Sequence, residues 1–167
     1  MDRSRAWSPA THGGDTALSS VLAALSVVEQ SLLGGLATAL IEEHTTVEQW
    51  RVLELVDTLP APTMGELSAA SGLPNASLSR VVDALEDDAS VYRLVDTVDR
   101  RRIAVHLSDR GSQRLSRMRA IVAAWEAGMR RSLGDEPLDA LADAVDGLLT
   151  QLAPETPLQS RPRDSNT

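Results

Sequence analysis

The stretch that most constrains this fold is "TMGELSAASGLPNASLSRVVDALED", residues 63–87. Thr63 stands three residues before Glu66, the spacing of a capping box, and opens a short helix. Gly72 supplies a turn, and Pro74-Asn75 start a second helix. On that helix Leu78, Val81, Val82 and Leu85 form one apolar stripe, while Asn75, Ala76, Ser77, Ser79, Arg80 and Asp83 lie toward its other faces. A short β-rich run, "VYRLV", follows. After an arginine-rich turn, Ile103, Val105 and Leu107 alternate with Ala104 and His106, which predicts a two-stranded hairpin with one face inward.

Short helix, glycine turn, second helix and hairpin are, in that order, the parts of a winged helix-turn-helix. In that arrangement the second helix fits the major groove of double-stranded DNA with its N-terminal residues at base edges. Asn75, Ser77 and Ser79 are short polar side chains suited to bases or phosphates, and Arg80 can reach a phosphate or a guanine edge. The hairpin tip lies beside the minor groove, whose negative potential attracts arginine. Arg100, Arg101 and Arg102 stand there together. They repel one another in the free protein, and a phosphate backbone offsets that repulsion.

Charge supports a local rather than a global anion surface. The chain has 167 residues and a net charge of −8, with 16 basic residues against 24 acidic ones. Residues 75–131 carry 11 Arg and 8 acids, a balance of +3, so the remaining 5 Arg and 16 acids leave −11 elsewhere. A basic segment flanked by acidic ones keeps nucleic acid among the possible partners. The chain has no cysteine, which excludes disulfides, thiolate-held metal and thiol redox switching. Glu42, Glu43, His44 and His106 are too scattered to predict a metal site, and no cofactor is expected. No nucleophile elbow, zincin, P-loop or dinucleotide motif is present, so an enzyme is not expected. No run of about 18 apolar residues exists, so no membrane span is expected. The N-terminal stretch lacks the apolar segment of a secretory signal, and a cytoplasmic location is expected.

Long helices flank the winged segment. Residues 16–43 repeat leucine and valine at spacings of three and four, with Gly34-Gly35 marking a bend or a close contact. Thr45 or Thr46 caps the next helix, whose candidate core positions are Val47, Trp50, Leu53, Leu55 and Val56. Ser108 opens a helix over about 109–132, and a last helix covers about 135–152. The fold class is therefore mainly α with a small β-hairpin wing. Residues 1–15 and 153–167 read as tails, 46–108 as the winged domain, and 16–45 with 109–152 as a helical dimerisation region. Its apolar stripes exceed what one small winged domain buries, which points to a homodimer.

Several residues carry a specific resemblance. Leu85-Glu86, Arg93, Asp99-Arg100-Arg101, Leu107-Ser108 and Gly111 are similar, without a gap, to the wing pattern of the multiple-antibiotic-resistance-regulator (MarR) family of bacterial transcription factors. "TTVEQWRVLELV" resembles that family's second helix. The resemblance implies a homodimeric repressor on a palindromic operator, with Ser77, Ser79, Arg80, Arg100 and Arg101 at DNA. Arg93 joins this set through its place on the first wing strand, and Asp99 would orient an arginine. Arg102 falls where the family varies. The resemblance also implies an effector, a small aromatic or phenolic anion, for which His44, Trp50 and Arg51 are candidate pocket residues. One departure stands out. Ala89-Ser90 replace the family's Gly-Leu before the wing strand, which predicts a different exit from the second helix. With the acidic Asp87-Asp88 pair, that departure also leaves open an alternative, a winged interaction protein that has lost DNA binding.

Overall fold

The computed structural model describes residues 18–95 and 102–152. Asp99, Arg100 and Arg101, together with the two end segments expected as tails, lie outside the described residues. The elements follow the expected order: α1 (Leu18–Ala39), a 3-10 turn (Leu40–Glu43), α2 (Val47–Thr58), α3 (Met64–Ser71), α4 (Asn75–Asp87), β1 (Val91–Val95), β2 (Ile103–Leu107), α5 (Asp109–Leu133) and α6 (Asp135–Leu152). The chain divides into two compact units after Trp125.

In the first unit, local chemistry sets each boundary. Thr46 caps α2, accepting from Gln49 N while the Gln49 side chain accepts from Thr46 N, which completes a capping box. Thr63 and Glu66 form the same box at α3. Glu66's carboxyl is held below the usual carboxylate range, first by the Thr63 N–H it accepts. Gly72 ends α3 at φ 69°, a left-handed value that glycine adopts without a side-chain penalty. Pro74 then precedes the first turn of α4.

The core gathers Leu40, Leu53, Leu67, Leu78, Leu85 and Met118, all fully buried. Val52, also fully buried, was not among the expected α2 positions, and Trp50 and Leu55 are only half-buried. Gly35 explains itself by contact: a Cβ there would come within 3.0 Å of the Trp125 indole nitrogen, so α1 and α5 approach closely at this point.

The antiparallel strands pair Val91 with Leu107 through Val95 with Ile103. The expected single inward face is corrected. Ala104 and Val105 are both buried, whereas Ile103 is exposed. The segment before α3 lies along β2 as a third edge: Ala104 bridges Thr63, and Val105 N donates to Pro62 O at 2.8 Å. That contact covers Ala104, and strict alternation does not survive it.

The α1 segment requires a second correction. Leu18–Glu43, 26 residues with a hydropathy of 1.5, is long and apolar enough by length and composition to cross a membrane. Averaged hydropathy tolerates the serines, glycines and glutamates that break a continuous run. In the second unit, Arg130 pairs with Asp135 and Asp139 around Gly134, φ 86°. Val145, Leu148, Leu149 and Leu152 on α6 are exposed.

Candidate nucleic-acid interface

Helix α4 buries Leu78, Val82 and Leu85 against the core. That choice of face turns Asn75, Ser77 and Arg80 outward, and leaves Ser79 half-exposed. The four expected reading residues therefore share the first two turns of one helix. Its free N–H groups and the positive end of its dipole also lie there, which suits approach to phosphate.

Arg93 has a different place. Its guanidinium binds Asp83 at 2.6 Å and also Glu86, both on α4. Those carboxylates sit three residues apart and so share a helix face. Arg93 ties the first wing strand to the recognition helix. Arg102 likewise turns inward, donating to Ala61 O at 3.2 Å and to Glu66. It clamps the base of the wing to the start of α3.

The exit from α4 overturns the expectation of a different path. Ala89 itself adopts the left-handed conformation, φ 59°. Ala89 N donates to Glu86 O and Ser90 N to Leu85 O, the two bonds of a Schellman ending. Alanine thus occupies the position that normally favours glycine. Asp88 Oδ1 accepts from Ser90 N at 3.0 Å and holds the strained turn. Ser90 O in turn accepts from Ser108 N at 3.0 Å, joining the exit to the start of α5. Gly111 is required beside it, because a Cβ there would lie 1.9 Å from Ser90 O.

The sequence reading missed Arg114. This buried arginine on α5 binds Asp88 and Ser90 on one side and the corner between α1 and α2 on the other. Its signal was present: Arg114 sits three residues after Gly111 and four before Met118, on the stripe that faces the core.

The three candidate effector residues do not come together. Trp50 and Arg51 line a cavity of about 370 Å³ with Glu54, Leu55, Ala70 and Ser71. The Trp50 indole N–H there is buried without a hydrogen-bond partner among the described residues. His44, in a left-handed conformation at the end of the 3-10 turn, lines a separate charged cleft of about 560 Å³ with Glu43, Asp88, Arg110 and Arg117. There the Arg117 hydrogen bond, helped by the nearby arginine charges, holds Glu43's carboxyl below its ordinary range.

Two helices across a left-handed glycine turn, with an antiparallel wing behind them, define a winged helix-turn-helix, a DNA-binding fold. Residues 45–103 match the model of the MarR family. A candidate transcriptional regulatory protein for the hcr operon of Thauera aromatica is 26% identical over 119 residues, 71% of each chain. The transcriptional repressor CouR, solved on a 23-mer DNA duplex, superposes with a TM-score of 0.73 at 25% identity, covering 83% of this chain and 99% of that one. CouR from Rhodococcus jostii RHA1 bound to p-coumaroyl-CoA gives a TM-score of 0.70 at 25% identity, over 84% and 97%. The apo form of MarR from E. coli shares the fold, with a TM-score of 0.66 at 21% identity over 75% and 93%. The likeness to the MarR family thus covers residues 45–103, and the proteins this chain is similar to in sequence and fold are transcriptional regulators.

Proposed function

We propose that this regulator acts in the cytoplasm as a homodimeric repressor on a palindromic operator. Each copy inserts the start of α4 into the major groove, with Asn75, Ser77, Ser79 and Arg80 facing the bases and phosphates. The wing reaches the adjacent minor groove through Arg100 and Arg101, with Asp99 orienting them. Arg93 and Arg102 brace the wing from behind and are reassigned from contact to support. The observation that carries this reading is the outward polar face of α4 beside its N-terminus, opposite the buried Leu78, Val82 and Leu85. Two-fold pairing through residues 16–45 and 109–152 is supported by the exposed Leu18, Leu22 and Val28 on α1. A surface of that kind usually marks an interface. A small aromatic or phenolic ligand remains the effector class to test, since CouR is solved with an aromatic acyl thioester.

The interaction-protein alternative loses one of its supports. Asp88 is engaged by Arg114 and Ser90 and does not form a free acidic patch with Asp87. The deciding experiment selects fragments of the source genome with purified protein and repeats binding across a salt series. Sequence-selective binding whose log affinity falls steeply with log salt establishes the regulator. Replacing Arg100 and Arg101 by Ala should then lower the slope by about two. Weak, unselective binding even at low salt would instead make the interaction protein the leading reading.

A further inference from the structure

We infer that Arg114 is a positioning residue for DNA reading, a strut that sets the recognition helix against the α1–α2 corner without touching DNA. The inference rests on the regulator reading above. Arg114 is only 8% exposed, so its guanidinium is withdrawn from any phosphate. Its two terminal nitrogens serve different parts of the fold. Nη1 binds the Asp88 carboxylate and donates to Ser90 Oγ at 3.1 Å, both at the exit of α4. Nη2 donates to Glu43 O at 3.0 Å, His44 O at 3.3 Å and Thr45 Oγ1 at 2.7 Å, all at the corner between α1 and α2. These two segments are more than 40 residues apart in sequence, and one planar fork spans them.

The chemistry explains why an arginine stands there. A buried charge is tolerated only when it is paired and its donors are used. Here one carboxylate supplies the pairing and four further oxygens take the donors. A lysine ammonium is a point donor with no fixed fork, so it can serve one side and not both. The bracing also falls where the backbone is strained. Asp88 holds the left-handed Ala89 turn through Ser90 N, and Arg114 holds Asp88. The α4 exit angle, and with it the aim of α4, is thereby referred to the corner that leads into α1. A shift at that corner, from dimer geometry or a ligand, reaches the reading helix through this fork.

The test compares wild type, Arg114→Lys, Arg114→Met and Asp88→Asn at a temperature where circular dichroism shows native helix content. Hydrogen exchange should accelerate in residues 43–46 and 88–91 together, with residues 64–71 unchanged. The ratio of affinity for the selected operator over a scrambled duplex should fall by roughly 5- to 150-fold. Affinity for the scrambled duplex itself should hold, since no phosphate contact is lost. Arg114→Lys should fail to restore the ratio. A uniform rise in exchange with an unchanged ratio would make Arg114 a general stabiliser and overturn the inference. So would rescue by lysine, or acceleration in one segment alone. Failure of the wild type to select any operator would instead defeat the regulator reading, and the exchange pattern would still decide whether the fork links the two segments.

Discussion

Helices α4 and α1 carry the same kind of apolar repeat and meet opposite fates. In 13 residues α4 buries Leu78, Val82 and Leu85. In 22 residues α1 buries only Leu36 among the described residues, and leaves Leu18, Val21, Leu22, Val27 and Val28 exposed. Periodicity therefore shows that a face is apolar without showing what covers it. For α4 the cover is the same chain. For α1 we assign it to a second copy. The largest expected effect tests the first half of this contrast. Leu78→Ala removes a fully enclosed side chain and should cost about 2–5 kcal/mol of folding free energy, read from urea denaturation. Binding to DNA should be normal wherever the variant remains folded.

The second half predicts the reverse pattern. Leu22→Glu with Val28→Glu places charges on the exposed face of α1. Monomer stability should change little, because neither side chain is buried in the single chain. Sedimentation should show a shift to monomer, and operator affinity should fall by roughly 100-fold or more as bivalent engagement is lost. A dimer that persists, or a monomer that binds the operator equally well, would break the assignment of α1 to a second copy.

The same contrast explains what could be read without a structure. Thr63 with Glu66, Gly72, and the two strands were legible because capping, left-handed turns and strand runs are short-range chemistry. Leu78 and Leu85 were legible because a strong repeat has one plausible buried side. Ala104 and Ile103 were misplaced because their burial depends on residues 61–63, some 40 positions away, which add an edge to β2. Arg93 was read as a DNA contact because strand position does not reveal that Asp83 and Glu86 wait across the gap. His44, Trp50 and Arg51 were grouped through the family resemblance, whereas the structure sends them to separate cavities, His44 lying at a left-handed turn. Arg114 was passed over because an arginine on an apolar stripe reads as surface until its five acceptors are brought together.

Two small residues at the α4 exit sharpen the point further. Gly111→Ala would drive a methyl group against Ser90 O, a backbone atom already held by Ser108. Relief requires the exit itself to move, so the expected cost is about 1–3 kcal/mol, with a matching loss of operator selectivity. Gly34 is the control on α1. A Cβ there meets nothing within 4 Å, so Gly34→Ala should be stabilising if that face stays open and costly if a second copy packs on it.

Ala89→Gly is the smallest change, and it carries the opposite sign. Alanine in the left-handed region costs roughly 1 kcal/mol relative to glycine, because its Cβ crowds the following carbonyl. The Schellman bonds at Ala89 and Ser90 and the Asp88 brace show that the fold holds the turn despite that cost. Glycine should relieve the strain and raise the unfolding free energy by up to about 1 kcal/mol, less the extra entropy it returns to the unfolded chain. If the strain merely burdens the fold, DNA binding will be unchanged. If the Arg114 fork needs a stiff exit to transmit a shift from the α1–α2 corner, the more stable variant will bind its operator less selectively. A gain in stability joined to a loss of selectivity would locate part of the reading geometry in one methyl group that no base touches.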